Sequence, residues 1–512
     1  MRERLSVGRP AGTNDACRRA VSPSRFSRRA LLAAVLPSAL AAPALLSPAL
    51  ARSNNSRPNA RAMPRLSFPD GFRWGTATSS YQVEGAPAEE GRGPSIWDVF
   101  GRTPGRIKDG TTGENGVDHF RRYKEDVALM KGLGVRTYRF SIAWPRVFPD
   151  GTGKPNPQGL AFYDRLIDEL LRAGIEPWAT LYHWDLPQPL QDRGGWQSRD
   201  TAQAFADYAG HVGARLSDRV SRFFPLNEIL TVVEHGHNFG VFAPGLKLPR
   251  RELNQVRHHA VLAHGLGLQA LRAATRKGTQ IGPAENLTVA VPAIDTPDNV
   301  RAAEFATREL NAPYLTVMME GRYSDDWLAQ QGADAPVFTP QDLKAIGSPV
   351  DFVGINVYTS GPYVVANESA RGFETIEPPS SHPHMDSTPW LKVAPETMYW
   401  APRHVARLWK AREIYVTENG TSGADQPATG GAINDVDRVM YLRNYLTHLQ
   451  RATAEGVPVR GYFLWSLLDN FEWADGYTSR FGLMHVDPGT QRRTPKLSAA
   501  FYREVIARNA VV

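Results

Sequence analysis

Two short stretches place carboxylates where a carboxylate is costly: Pro225-Leu226-Asn227-Glu228 and Val416-Thr417-Glu418-Asn419-Gly420. Each is an apolar or β-prone run that ends on a Glu beside an Asn. A strand delivered into a core does not normally finish on a bare carboxylate, because an unpaired buried charge is expensive. Two such strand ends imply a pair of working carboxylates. One held protonated and one held ionised is the equipment that cleaves a glycosidic bond.

These groups are 190 positions apart, so the fold must bring them together. Eight runs have strand character: Phe72 to Ala77, Thr137 to Ile142, Glu176 to Tyr182, Arg222 to Leu226, Gln280 to Asn286, Phe352 to Asn356, Glu413 to Thr417, and Arg460 to Trp465. Amphipathic helical segments alternate with them. Gly116 to Leu133 spaces Phe120, Tyr123, Val127, Met130 and Leu133 three or four apart, and Gln158 to Arg172 does the same with Phe162, Leu166, Ile167 and Leu170. Eight strand–helix alternations predict an α/β chain folded as a single (β/α)8 TIM barrel. A doubly wound sheet would have fewer strands and a Gly-rich first turn, which is missing.

In such a barrel all eight strand C-termini meet at one mouth. The residues at or just past those ends are Gln82, Arg139, His183, Asn227 with Glu228, Asn286, Tyr358, Glu418 and Trp465. All are polar or aromatic, and convergence gives that pattern a purpose. The segment from Ser360 to Trp390 is too long for an ordinary connection, and it is expected to wall the mouth.

Composition narrows the partners. Of 512 residues, 42% are hydrophobic and 22% charged, as in ordinary soluble proteins. The net charge of +7 is concentrated at the start. Residues 1–51 hold eight Arg against Glu3 and Asp15, leaving 51 of the 59 basic and 50 of the 52 acidic residues elsewhere. The remainder is nearly neutral, so no nucleic-acid partner is expected. Residues 1–51 read as a twin-arginine-type signal: Arg28-Arg29, an uncharged apolar run from Ala30 to Ala51, then Ala49-Leu50-Ala51 for cleavage. Pro37, Pro43 and Pro48 interrupt the run and argue against a permanent anchor, so no membrane contact is expected once the signal is gone. The single cysteine, Cys17, lies inside it, which excludes disulfides and cysteine metal sites from the mature chain. Residues 52–65 are polar and aperiodic, a short linker. One domain then runs over 66–512, with no repeat or second linker. A periplasmic or secreted location follows.

The chain resembles the retaining β-glucosidases of glycoside hydrolase family one. The resemblance rests on Phe72-Arg73-Trp74-Gly75-Thr76-Ala77-Thr78-Ser79-Ser80-Tyr81-Gln82-Val83-Glu84-Gly85, Tyr138-Arg139-Phe140-Ser141-Ile142-Ala143-Trp144-Pro145-Arg146, Leu181-Tyr182-His183-Trp184-Asp185-Leu186-Pro187, Leu226-Asn227-Glu228, Val416-Thr417-Glu418-Asn419-Gly420, and Trp465-Ser466-Leu467-Leu468-Asp469-Asn470-Phe471-Glu472-Trp473. It implies Glu418 as nucleophile and Glu228 as acid/base, with Arg139 and Tyr358 set against Glu418. It also implies that Gln82, His183, Asn227 and Glu472 grip ring hydroxyls, Asn227 at the 2-hydroxyl. Trp465 and Trp473 would pack against the sugar, and Phe481 and Trp390 match aromatic positions around it. Glu472-Trp473 stands where the 6-phospho-sugar branch has other residues and a phosphate-receiving Ser and Lys. The implied substrate is therefore an unphosphorylated β-glucoside, galactoside or fucoside, or a cello-oligosaccharide. No cofactor is implied, and no His-Glu-x-x-His helix or acidic loop suggests a metal. His258-His259 falls on a helix with its two side chains pointing apart.

Three departures touch the leaving-group side. The family's Asn-Glu-Pro reads Asn227-Glu228-Ile229, which should loosen the chain after the acid. Asn356-Val357-Tyr358 keeps only the second Tyr of the family's Asn-Tyr-Tyr, and Thr397 replaces a Gly. Transglycosylation on the same scaffold remains open. A non-catalytic sugar binder fits poorly, since a mere binder needs no oppositely poised carboxylates.

Overall fold

The computed structural model describes residues 66–369 and 371–512. The predicted signal and linker lie outside the described residues. The barrel strands are β1 (Arg73–Ala77), β2 (Thr137–Ser141), β3 (Glu176–Tyr182), β4 (Arg222–Leu226), β5 in two pieces (Gln280–Ile281 and Ala284–Asn286), β6 (Val353–Asn356), β7 (Ile414–Asn419) and β8 (Val459–Trp465). All pair in parallel, and β8 pairs back onto β1. The first piece of β5 joins β4 and the second joins β6, so the sheet closes into a (β/α)8 barrel. The sequence predicts one unbroken fifth strand. The break falls at Gly282-Pro283: Pro283 has no N–H for the ladder, and a side chain at Gly282 would strike the Phe352 carbonyl at 2.3 Å.

The main outer helices are α1 (His119–Leu133), α2 (Pro157–Arg172), α3 (Arg199–Leu216), α4 (Arg250–Ala274), α5 (Pro297–Leu310), α6 (Thr397–Trp409), α7 (Val436–Ala454) and α8 (Leu497–Arg508). Helix α2 begins where local chemistry says it should. Asn156 caps the Gln158 N–H, Pro157 fills the first turn, and Leu160, Phe162, Leu166, Ile167 and Leu170 face inward. Helix α1 starts three residues later than its apolar spacing suggests, because Gly116 and Asp118 hold φ of 49° and 55° and cannot continue a right-handed helix. His258 and His259 lie buried in α4, one against the Tyr323 hydroxyl and the other against the Trp196 carbonyl. No described helix is long and apolar enough to cross a membrane.

The segment after β6 is not a plain loop. Tyr363–Ala366 pairs antiparallel with Phe373–Ile376, and His384–Met385 with Thr388–Lys392. These two hairpins supply their own hydrogen bonds, which lets so long an insertion stay ordered. They bring Ser360, Gly361 and Trp390 to the barrel mouth.

Candidate active site

The barrel interior is filled from below by aromatic rings. Trp178 of β3 packs against Phe224 of β4, Tyr415 of β7 and Phe463 of β8, with centroids 4.9–6.0 Å apart. On this plug rests Arg139, whose guanidinium lies 5.0 Å from the Phe224 ring centre. Arg139 sits in the middle of β2 rather than at its end, and its length carries the charge up to the mouth. It is 1% exposed, so its cost of burial must be met by partners.

Those partners are site residues. Nη1 donates to Glu418 Oε1 at 2.6 Å and Nη2 to Asn227 Oδ1 at 2.6 Å. The Tyr358 hydroxyl donates to Glu418 Oε2 at 2.7 Å. Both oxygens of Glu418 are therefore held by strong donors. The register of β7 shifts between Val416 and Glu418, a bulge that re-aims side chains. Thr417 reaches the Asn356 amide at 2.7 Å while Glu418 meets Arg139 and Tyr358. Burial pushes the Glu418 pKa above its ordinary value, and Arg139 and Tyr358 pull it back. Removing the Tyr358 hydroxyl tests this balance. In Tyr358→Phe we expect kcat/KM to fall about 10–100-fold, the worth of a hydrogen bond to a charged group. The acidic limb of the pH profile should move to higher pH, because the anion loses a donor.

Glu228 has a different environment. It holds φ 50° just past β4 and opens the short helix Ile229–Val233. Its direct partners are neutral: Asn356 Nδ2 at 2.8 Å on Oε1 and Thr231 Oγ1 at 3.0 Å on Oε2. Burial first and Glu418 second push its pKa up to about 8. The two carboxyls thus differ in their partners: Glu418 has an ion pair to Arg139, and Glu228 has neutral donors only.

A cavity of about 510 Å³ opens above them, a volume typical of small-molecule sites. Its wall joins His183, Glu228, Tyr358, Trp390, Glu418, Trp465, Glu472, Trp473 and Phe481. Gln82, Arg139 and Asn227 hold members of that wall. Gln82 Nε2 donates to Glu472 Oε2 at 3.3 Å, and Asn227 Nδ2 lies 3.2 Å from His183 Nε2. The His183 ring runs nearly parallel to Trp465 (5.7 Å, 17°) and Trp473 (6.0 Å, 14°). Burial and Arg139 keep that imidazole neutral at physiological pH. Trp390, 53% exposed, meets Tyr358 edge-on at 6.2 Å, and Phe481 meets it at 6.3 Å from another side. Glu472 is half-buried, and burial raises its pKa well above the carboxylate range, helped by Asp475, Glu418 and Glu228.

All twelve residues singled out in the sequence gather at this mouth. Asn286 joins them, on the wall and donating to Thr231 Oγ1 at 3.3 Å. Sequence reasoning missed Asn356, which donates to both Asn227 and Glu228. Its place as the last residue of β6 was the available signal. Thr231 and Glu285 were also missed. Where the family's Pro has no N–H, the Ile229 N–H donates to Glu285 Oε1 at 2.6 Å.

The glycosyl hydrolase family 1 model matches residues 65–511. Beta-glucosidase A of Acetivibrio thermocellus is 42% identical over 450 residues, covering 87% of this chain and all of that protein. Beta-glucosidase 4 of Oryza sativa is 41% identical over 456 residues, 86% of this chain and 94% of its own. Among solved structures, a family 1 β-glucosidase from Thermotoga maritima superposes with a TM-score of 0.79 at 38% identity, over 88% of this chain and 99% of that one. The β-glucosidase of the same organism in complex with deoxynojirimycin gives 0.78, over 87% and 100%. A closed barrel, two unlike carboxyls at its mouth and this match from end to end of the described residues agree: the chain belongs to glycosyl hydrolase family 1.

Proposed function

We propose that this enzyme removes terminal β-D-glucosyl groups, and to some degree β-D-galactosyl or β-D-fucosyl groups, from unphosphorylated β-glycosides with retention of configuration. The observation that carries the reading is the asymmetry of donors. Arg139 and Tyr358 both hold Glu418, while Glu228 has only neutral groups against it. In the first step the Glu228 proton passes to the glycosidic oxygen as a Glu418 oxygen bonds to the anomeric carbon and the aglycone leaves. In the second step Glu228, now a carboxylate, takes a proton from water, and the oxygen attacks the anomeric carbon from the face the aglycone left, displacing Glu418 with a second inversion. Asn227 serves the 2-hydroxyl. Its oxygen is occupied by Arg139 and Asn356, and one Nδ2 proton remains beyond the His183 contact. Val241, Phe242, Leu287 and Trp390 form an apolar shelf for the aglycone.

A panel of nitrophenyl β-glycosides, with the product anomer followed by NMR, tests this directly. β-Glucose must appear first; initial α-glucose would overturn the retaining reading. Phosphorylated sugars make the second check. Glu228, Glu418, Glu472 and Asp475 line the cavity without a Lys or Arg among the lining residues. A phosphate dianion has no counter-charge to meet there. Cellobiose bearing a phosphate on its non-reducing 6-hydroxyl should have kcat/KM at least about 100-fold below that of cellobiose; the opposite ranking would remove Glu472 as the specificity group.

The location proposed is periplasmic or secreted, on the strength of Arg28-Arg29 and the apolar run that follows. Replacing both arginines by Lys should leave the precursor inside the cell on fractionation. Unchanged export would discard the twin-arginine reading.

A further inference from the structure

Glu285 is a carboxyl buried to 1% exposure on the second piece of β5, and it takes no part in the two chemical steps. Its Oε1 accepts the Ile229 N–H at 2.6 Å. Its Oε2 is buried and makes no hydrogen bond of its own among the described residues, while the Leu230 N–H acts on the carboxyl as a second, weaker neighbour. Burying such a group is unfavourable unless its one good contact matters. That contact is to the residue next to Glu228, whose backbone sits in the left-handed region at φ 50°. A non-glycine residue stays there only when its surroundings over-determine it.

We propose that Glu285 is a positioning residue for the acid/base: by holding the Ile229 N–H it fixes the backbone turn that aims Glu228 into the cavity. The three residues closing β5 act together on this turn. The Ala284 carbonyl accepts the Glu228 N–H at 2.8 Å, Glu285 takes the next N–H, and Asn286 donates to Thr231, which holds Glu228 Oε2. The ionisable groups facing this region are Glu228, which acts on Glu285, and Glu418 and Arg139, which act on Glu228. Burial, followed by Glu228, raises the Glu285 pKa to about 8. The raised pKa favours the neutral carboxyl, so what Glu285 supplies to the Ile229 N–H is an acceptor oxygen.

This inference rests on Glu228 being the proton donor, so its test uses two substrates that differ in their need for that proton. Glu285→Leu should lower kcat/KM on an alkyl β-glucoside by about tenfold or more, and on 2,4-dinitrophenyl β-glucoside by less than about threefold. Glu285→Gln keeps an acceptor oxygen and should stay within about threefold of wild type on both. Ile229→Pro puts the family's residue at a first-turn position that tolerates proline, where the ring fixes the turn without an N–H, and it should stay within about threefold of wild type on both substrates. In that background Glu285→Leu should cost less than about threefold on either substrate, because the bond it would break is already gone. Equal losses on both substrates, a Gln variant as poor as Leu, or additive losses in the double variant would each overturn the proposal. If Glu228→Ala itself fails to discriminate between the two substrates, the fault lies in the acid/base assignment.

Discussion

Glu418→Ala should retain about 10⁻⁵ of the wild-type turnover of an activated aryl β-glucoside, the scale of loss when a covalent nucleophile is removed. No other side chain can substitute. Arg139 and Tyr358 are donors aimed at the missing oxygens, and Glu228 is held on the other side of the bond's chemistry by Asn356 and Thr231. The loss should be in chemistry and not in binding, so a competitive sugar-shaped inhibitor should still bind. Without its carboxylate, the Arg139 charge is left with Asn227 as its remaining side-chain acceptor. Azide admitted to that space should attack the anomeric carbon directly. One displacement inverts the centre, so the product is the α-glucosyl azide, identified by NMR. Turnover within tenfold of wild type would remove Glu418 from the reaction. A β-azide would mean that another group still forms the covalent intermediate.

Much of this site was legible in the sequence, for a physical reason. Barrel strands are buried on both faces, so they appear as short apolar runs with sharp ends. At the catalytic mouth each run must end on something polar. Leu226-Asn227-Glu228 and Val416-Thr417-Glu418 are readable because apolar character stops abruptly at a charge. Glu176–Tyr182 and Arg222–Leu226 match their predicted limits to the residue. The features missed are those that depend on register rather than on composition. Asn356 looks like any strand-end Asn until β6 and β7 are paired, whereupon it stands opposite Glu418 and reaches Glu228. Thr231 is an unremarkable helix residue except that it lies three positions from Glu228, one turn away. Glu285 was absorbed into an apparent unbroken fifth strand. The Gly282-Pro283 break that lets β5 pair first with β4 and then with β6 was visible as a dipeptide, but its consequence appears only once the barrel closes. The hairpins after β6 were hidden for the opposite reason: the Pro- and Ser-rich connection Pro378 to Pro383 between them reads as loop, and the pairing partner of each strand is local and short.

Glu228→Ala should separate substrates by leaving group. For an alkyl β-glucoside, whose departing oxygen needs a proton, kcat/KM should fall about 10²–10⁴-fold, the usual worth of a general acid. For 2,4-dinitrophenyl β-glucoside the glycosylation step should be nearly spared, because the phenolate leaves unaided. The second step then becomes limiting, since water has lost its base. A burst of dinitrophenol followed by slow turnover is the expected trace. Azide needs no base and should restore turnover, giving β-glucosyl azide after two inversions, the mirror of the outcome at Glu418. The pH profile carries the same argument. The acid must be protonated, and its pKa is pushed up to about 8 by burial and by Glu418. Wild-type kcat/KM on the alkyl substrate should therefore hold through neutrality and decline as pH rises through that value. In Glu228→Ala with the dinitrophenyl substrate that basic limb should vanish. Its persistence would assign the proton to a different group, with Glu472, whose pKa is also raised by burial, the first to examine.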